Sequence, residues 1–173
     1  SARLRRYAGY TLVAVAALAG WRALDQAAAA HLFLINRSPS LPNWAYVVQR
    51  GRLPVRGAVS FFVPPQNALV EAHFGKVPAA FGKIAYGLPG DQVLRHGADV
   101  FVLAAGTAAP RKVGTLKLVT AQGEALEPGP TGTIPPGCYY MGSPHRDGFD
   151  SRYAAIGFVC AGQLIGSARM VLL

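Results

Sequence analysis

From Leu32 onward the apolar runs of this chain are short, and each is stopped by a turn rich in proline or glycine. LFLI (Leu32 to Ile35), AYVV (Ala45 to Val48), AVSFFV (Ala58 to Val63), DVFVLA (Asp99 to Ala104), LKLVT (Leu116 to Thr120), CYYM (Cys138 to Met141), IGFVC (Ile156 to Cys160) and the tail from Leu164 are rich in β-branched and aromatic residues. Runs of that length and composition read as strands. Pro64-Pro65, Leu88 to Asp91, Glu127 to Pro130 and Pro135-Pro136-Gly137 interrupt them. Thirteen prolines and 20 glycines in 173 residues are incompatible with a helical bundle. Asn67 to Phe74 is the one short helix expected in this stretch, with Asn67 as its N-cap. Residues 32–173 are therefore expected to form one mainly antiparallel β domain.

The N-terminal segment is different. Tyr7 to Trp21 carries no charge, follows Arg3, Arg5 and Arg6, and precedes Arg22. As a helix it spans about 22 Å, short of the roughly 30 Å hydrocarbon core, and Arg6 and Arg22 can close the gap by reaching outward. Residues 1–31 are thus expected to be a membrane anchor and short connector, with the N-terminus in the cytoplasm and the remainder exported. A cleaved signal peptide ending near the run Ala27 to Ala30 is the competing reading. The net charge of +9 is concentrated in the leading arginines and in Arg37, Arg50, Arg52 and Arg56, with no acid between Asp25 and Glu71. Without an RNA-binding aromatic signature, that charge suits anionic lipid better than nucleic acid.

No GxSxG elbow, HExxH helix, P-loop or CxxC pair is present, so common hydrolase, metalloprotease and nucleotide chemistries lack support. His31, His73, His96 and His145 are scattered without metal-ligand spacing, so no metal or cofactor is expected. His145 stands near Asp147 and Asp150, which permits a Ser-His-Asp reading, but it reads better as a histidine in a turn. Two segments remain. Asn36 to Pro42 places Ser40 between Pro39 and Pro42, in a stiffened loop or an ordinary polar turn. Lys83 to Asp91 places Lys83 on an apolar strand, either desolvated by Phe81, Ile84 and Ala85 or reaching water past them. A serine hydroxyl needs a base. A lysine with a pKa near 10.4 becomes one only when burial favours its neutral amine.

These segments resemble the boxes of the type I signal peptidase family, in its conjugative-transfer (TraF-type) branch. Ser38-Pro39-Ser40 resembles the nucleophile box, which implies Ser40 as nucleophile and Ser38, with the Ser40 amide, as the oxyanion hole. Lys83 to Asp91, KxAxGLPGD, resembles the lysine box and implies Lys83 as general base. Gly142 to Arg152 resembles the C-terminal box, where Asp150 and Arg152 would brace the site. The resemblance implies a signal-peptidase-type antiparallel β domain behind one N-terminal transmembrane helix, in the bacterial inner membrane and facing the periplasm. It further implies a cofactor-free serine endopeptidase acting on pilin-like exported precursors with small residues before the cut, some members joining the product ends into a ring. A non-catalytic assembly subunit of a secretion channel and a general signal peptidase are the alternatives. The chain departs from the family pattern at Ser143, where an acid is common, at Gly148, where a hydroxyl residue often orients the lysine, and at Trp44. Cys138 and Cys160 flank the C-terminal box, where a hairpin-like arrangement leads to an expected disulfide, two buried thiols being the alternative.

Overall fold

Strand-forming runs and turns alternate in the computed structural model, which describes residues 2–36 and 38–172. The chain divides into two compact units, residues 1–32 and 33–173.

In the first unit, helix α1 (Ala2–Ala30) forms where the uncharged run predicts it. Its apolar residues, among them Leu12, Val13, Leu18 and Trp21, are exposed. The expected membrane crossing is not met: no helix among the described residues is long and apolar enough to cross a membrane. The reason is compositional. Glycines, tyrosines and Thr11 dilute the run Tyr7 to Trp21, and Arg22 and Asp25 end it within the helix. Arg37, expected to add to the basic stretch, lies outside the described residues, as do the side chains of Arg3, Arg5 and Arg6.

The remainder is built on β1 (His31–Ile35), β2 (Ala45–Arg50), β3 (Val59–Phe62), β4 (Phe81–Gly87), β5 (Gln92–His96), β6 (Asp99–Leu103), β7 (Arg111–Thr115), β8 (Gly132–Thr133), β9 (Cys138–Gly142), β10 (Val159–Cys160) and β11 (Leu164–Leu172). A seven-stranded sheet has the order β1-β2-β11-β3-β4-β9-β10, and a four-stranded sheet the order β7-β6-β5-β8. The neighbours of β4, namely β3 and β9, both pair with it antiparallel. Helix α2 (Ala68–Phe74) begins as expected at Asn67, whose side chain accepts from the Val70 amide at 3.0 Å.

Period-two alternation explains why β9 is buried along its whole length. Tyr140 enters a cluster with Val93, Val100, Val102 and Ile134, whereas Tyr139 and Met141 enter another with Phe62, Ala85 and Val159. The strand therefore serves both cores. The link from β4 to β5 is the turn Leu88 to Asp91, where Gly90 adopts φ 88°, a conformation glycine reaches without a side-chain clash. The buried Asp91 carboxylate accepts from the Leu88 amide at 2.7 Å and the Ala105 amide at 2.8 Å, and pairs with Arg56 at 2.7 Å. Burial pushes the Asp91 carboxyl upward, but the Arg56 guanidinium and the two amides outweigh that and hold it below the usual range. The GLPGD portion of the lysine motif thus fixes the turn behind β4.

Two strand expectations need correction. Leu116 to Thr120 is not a strand. The preceding polar residues form β7, whose Thr115 pairs with Asp99, the first residue of β6, so little partner backbone remains beyond that point. Leu118 and Val119 are consequently exposed. In IGFVC only Val159 and Cys160 are extended, because the Ile156 and Gly157 amides both turn back to the Tyr153 carbonyl. Cys138 and Cys160 stand opposite each other in the β9–β10 register, and their Sγ atoms are bonded. The cysteines are separated by 22 residues, and closing a loop of that size contributes about 3 kcal/mol. Urea melts with and without reductant are expected to differ by about that amount, the reduced protein unfolding first.

Candidate active site

The loop carrying Ser38 and Ser40 is organised by Asn36. Its amide donates to the Trp44 carbonyl at 2.6 Å, and its side-chain nitrogen donates to the carbonyls of Leu41 at 3.3 Å and Asn43 at 3.1 Å. Its side-chain oxygen accepts from the Ser38 amide and hydroxyl, both at 3.1 Å. One asparagine therefore ties both ends of the loop together and orients Ser38. The Ser38 and Ser40 hydroxyl oxygens lie 2.7 Å apart, and Ser40 is 9% exposed.

Lys83 sits in the middle of the larger sheet, on β4 opposite Ser60 of β3. Burial drives its ammonium pKa below the ordinary lysine value; the Asp150 charge opposes this and the Arg152 charge adds to it. Among the described residues Lys83 forms no ion pair. Ser38, Ser40 and Lys83, distant in sequence, line one cavity of about 500 Å³. His145, Asp147, Gly148 and Phe149 line the same cavity.

Asp150 and Arg152 do not line that cavity; they hold its wall. Arg152 Nε donates to Asp150 Oδ1 at 2.8 Å and its Nη2 to Oδ2 at 2.9 Å. The same Nη2 donates to the carbonyls of Gly148 at 2.8 Å and His145 at 3.1 Å, and Nη1 to that of Thr115 at 3.3 Å. Both residues are buried. His145 lines the cavity, yet its Nδ1 accepts from the Asp147 amide at 3.2 Å. Its ring makes no hydrogen bond to Asp150 or Ser40 among the described residues, so no Ser-His-Asp array is assembled.

A family model described as signal peptidase, peptidase S26, matches residues 4–173. The chain belongs to the signal peptidase S26 family. It is also 31% identical over 150 residues to a conjugal transfer protein TraF of Agrobacterium fabrum, covering 80% of this chain and 81% of that protein.

Within this S26 chain, the three departures from the family pattern have a structural account. A Cβ on Gly148 would lie 2.0 Å from the Ser143 Oγ and 2.4 Å from Arg152 Nη2, so the space for a side chain at 148 is already filled. Ser143 occupies it, its hydroxyl and amide donating to Asp150 Oδ2 at 3.2 and 3.0 Å. Restoring the family residue with Gly148→Ser is therefore expected to destabilise the fold by about 1 to 3 kcal/mol through overpacking, read as a lower urea midpoint, rather than to improve activity. Trp44 is accommodated because only its carbonyl is needed to close the Asn36 loop, while the residue is half exposed. The sequence reading passed over the organising role of Asn36 and the anchoring role of Asp91. An asparagine opening a proline-stiffened loop was the available signal for the first, and the aspartate ending the lysine motif for the second.

Proposed function

We propose that this S26 protein is a serine endopeptidase working through a Ser40–Lys83 dyad. The observation that carries the reading is a buried lysine, its pKa lowered by desolvation, in the same cavity as the Ser40 hydroxyl. The neutral Lys83 amine accepts the Ser40 proton, and Ser40 Oγ bonds to the scissile carbonyl carbon. With substrate bound, the Ser38 hydroxyl turns from Asn36 Oδ1 and joins the Ser40 amide in donating to the developing oxyanion, each donor contributing about 3 kcal/mol. Lys83 returns the proton to the leaving amine. Water, deprotonated by Lys83, then attacks the acyl-enzyme and releases the acid. Asp150 and Arg152 hold the His145–Phe149 segment in place.

The substrate is an exported precursor with small residues before the cut. Kinship with a protein named for conjugal transfer supports a pilin-like precursor of a conjugation system. If the N-terminal amine of the acylated fragment itself attacks the ester before water does, expelling Ser40 Oγ, the product is a ring, and an intact mass one water below that of the linear hydrolysed fragment reports it. Family membership and the exposed apolar residues of α1 support association with the membrane on the periplasmic side. Cofactors are not required, and the basic surface serves lipid rather than nucleic acid.

Incubation with a serine-acylating penem and with a precursor peptide carrying an Ala-x-Ala site tests the dyad. The wild type is expected to gain the penem mass and to cut the peptide, and Ser40→Ala to do neither. A Ser40→Ala protein that still cuts would falsify the dyad, and a wild type that neither gains the penem mass nor cuts would leave the non-catalytic assembly-subunit reading in its place.

A further inference from the structure

Beside the cavity holding Ser40 and Lys83 lies a second, of about 740 Å³. The two share a wall made of Phe74, Asp147, Gly148 and Phe149. An unbroken series of aromatic rings runs beneath both. Phe81 meets Phe74 at 4.7 Å between ring centroids, Phe74 stacks on Phe149 at 5.7 Å, and Phe149 stacks on Tyr153 at 5.8 Å. Phe81 lines only the first cavity and Tyr153 only the second.

The far side of the second cavity is formed by Leu118, Val119 and Leu126. Leu118 is 70% exposed and Val119 55%. Both belong to the segment whose apolar pattern predicts a strand and which instead lies open above the aromatic series. Charged residues at this cavity answer one another: His73 pairs with Glu124, and Lys117 with Asp147. Lys117 and Asp147 neutralise each other and the rest of the lining is mostly apolar or uncharged, so the cavity suits an uncharged, apolar group. An extended peptide advances about 3.3 Å per residue, so each ring-to-ring step corresponds to about two residues of substrate. The four shared residues make the cavities neighbours, so a chain lying in the first is placed to extend into the second.

We propose that this second cavity is a substrate subsite. On the peptidase reading above, on which this inference rests, it seats a large apolar or aromatic side chain of the same precursor, about four to six residues from the scissile bond by that spacing. Small residues are selected beside Ser40, and a bulky one is selected at a distance. Specificity then depends on a two-point pattern rather than on the residues at the cut alone.

The test measures affinity on full-length Ser40→Ala protein, so that it does not depend on turnover. Fluorescent peptides carry one Ala-x-Ala site, alone or extended on either side by a tail of leucine and phenylalanine or by an equal tail of serine. The apolar tail, on one side, is expected to tighten binding about tenfold or more over the serine tail, as burial of one such side chain implies. Leu118→Asp, at an exposed position that the fold does not depend on, is expected to abolish that preference while leaving the short peptide's affinity unchanged. Leu118→Phe is expected to retain it. Equal affinity for both tails, or a Leu118→Asp effect of the same size on the short peptide, overturns the subsite. The outcomes separate the two readings. A tail preference lost in Leu118→Asp, with no cleavage by the wild type, leaves the subsite standing and counts against the peptidase. Cleavage without any tail preference does the reverse.

Discussion

Lys83→Met is expected to abolish peptide cleavage, by about 10⁴-fold or more as for loss of a catalytic base, while leaving the protein folded and more stable at neutral pH. The two halves of this result have one cause. Lys83 is buried in the middle of a sheet, and desolvation lowers its pKa from the ordinary value. An ammonium there costs the fold stability, and methionine fills much the same volume without a charge. The sign of the pH dependence follows. Below the folded-state pKa both folded and unfolded chains carry the proton, and the penalty is at its full size. Between that pKa and the ordinary lysine value the unfolded chain holds more protons than the folded one, so wild-type stability rises with pH. The advantage of Lys83→Met is therefore greatest on the acid side and fades as pH climbs toward the ordinary lysine value. Acylation of Ser40 in the wild type rises through the folded-state pKa, at the lower edge of that interval, and then levels off, because only the neutral amine accepts a proton. Urea melts and penem acylation rates across one pH series measure both. Retained cleavage in Lys83→Met, or a variant less stable than wild type throughout the series, would remove the general-base role.

The side chains that line the candidate site were easier to pick out in the sequence than the frame that holds them. Ser38, Ser40 and Lys83 stand in short strings whose residue types already imply a hydroxyl needing a base. The strings do not say that a sheet register and a loop bring them to one cavity. β3, β9 and β11 were legible because their apolar residues find partners where the pattern expects them. LKLVT misled because its local pattern is strand-like but β6 has ended by the time the chain reaches it. β7, Arg111–Thr115, was passed over for the converse reason: a polar run becomes a strand when a neighbour offers unpaired backbone. The N-terminal helix was legible as a helix. Its fitness to cross a bilayer depends on average apolarity over a longer stretch, which glycine, threonine, Arg22 and Asp25 reduce. The exchange between Gly148 and Ser143 was visible only as two separate departures. Only the folded packing brings the Ser143 hydroxyl into the space that a side chain at 148 would need.

Arg152→Met is expected to cost about 3 to 5 kcal/mol, the loss typical of stripping one partner from a buried ion pair. The Asp150 carboxylate would keep the Ser143 donors and the Arg152 main-chain amide, but it would lose both side-chain bonds from the guanidinium. The carbonyls of Thr115, His145 and Gly148 would lose their donor at the same time. Because His145 and Gly148 line the Ser40–Lys83 cavity, the lesion reaches function as well as stability. Asp150→Leu combined with Arg152→Met is expected to cost less than the sum of the single changes, since no buried charge is then left alone. The electrostatic consequence for Lys83 has a definite sign. Arg152 lowers the lysine pKa and Asp150 raises it, so removing the guanidinium leaves the carboxylate unopposed and shifts the lysine upward. Residual penem acylation in Arg152→Met should then rise at more alkaline pH than in the wild type, whereas a purely structural loss would lower the rate without displacing the profile.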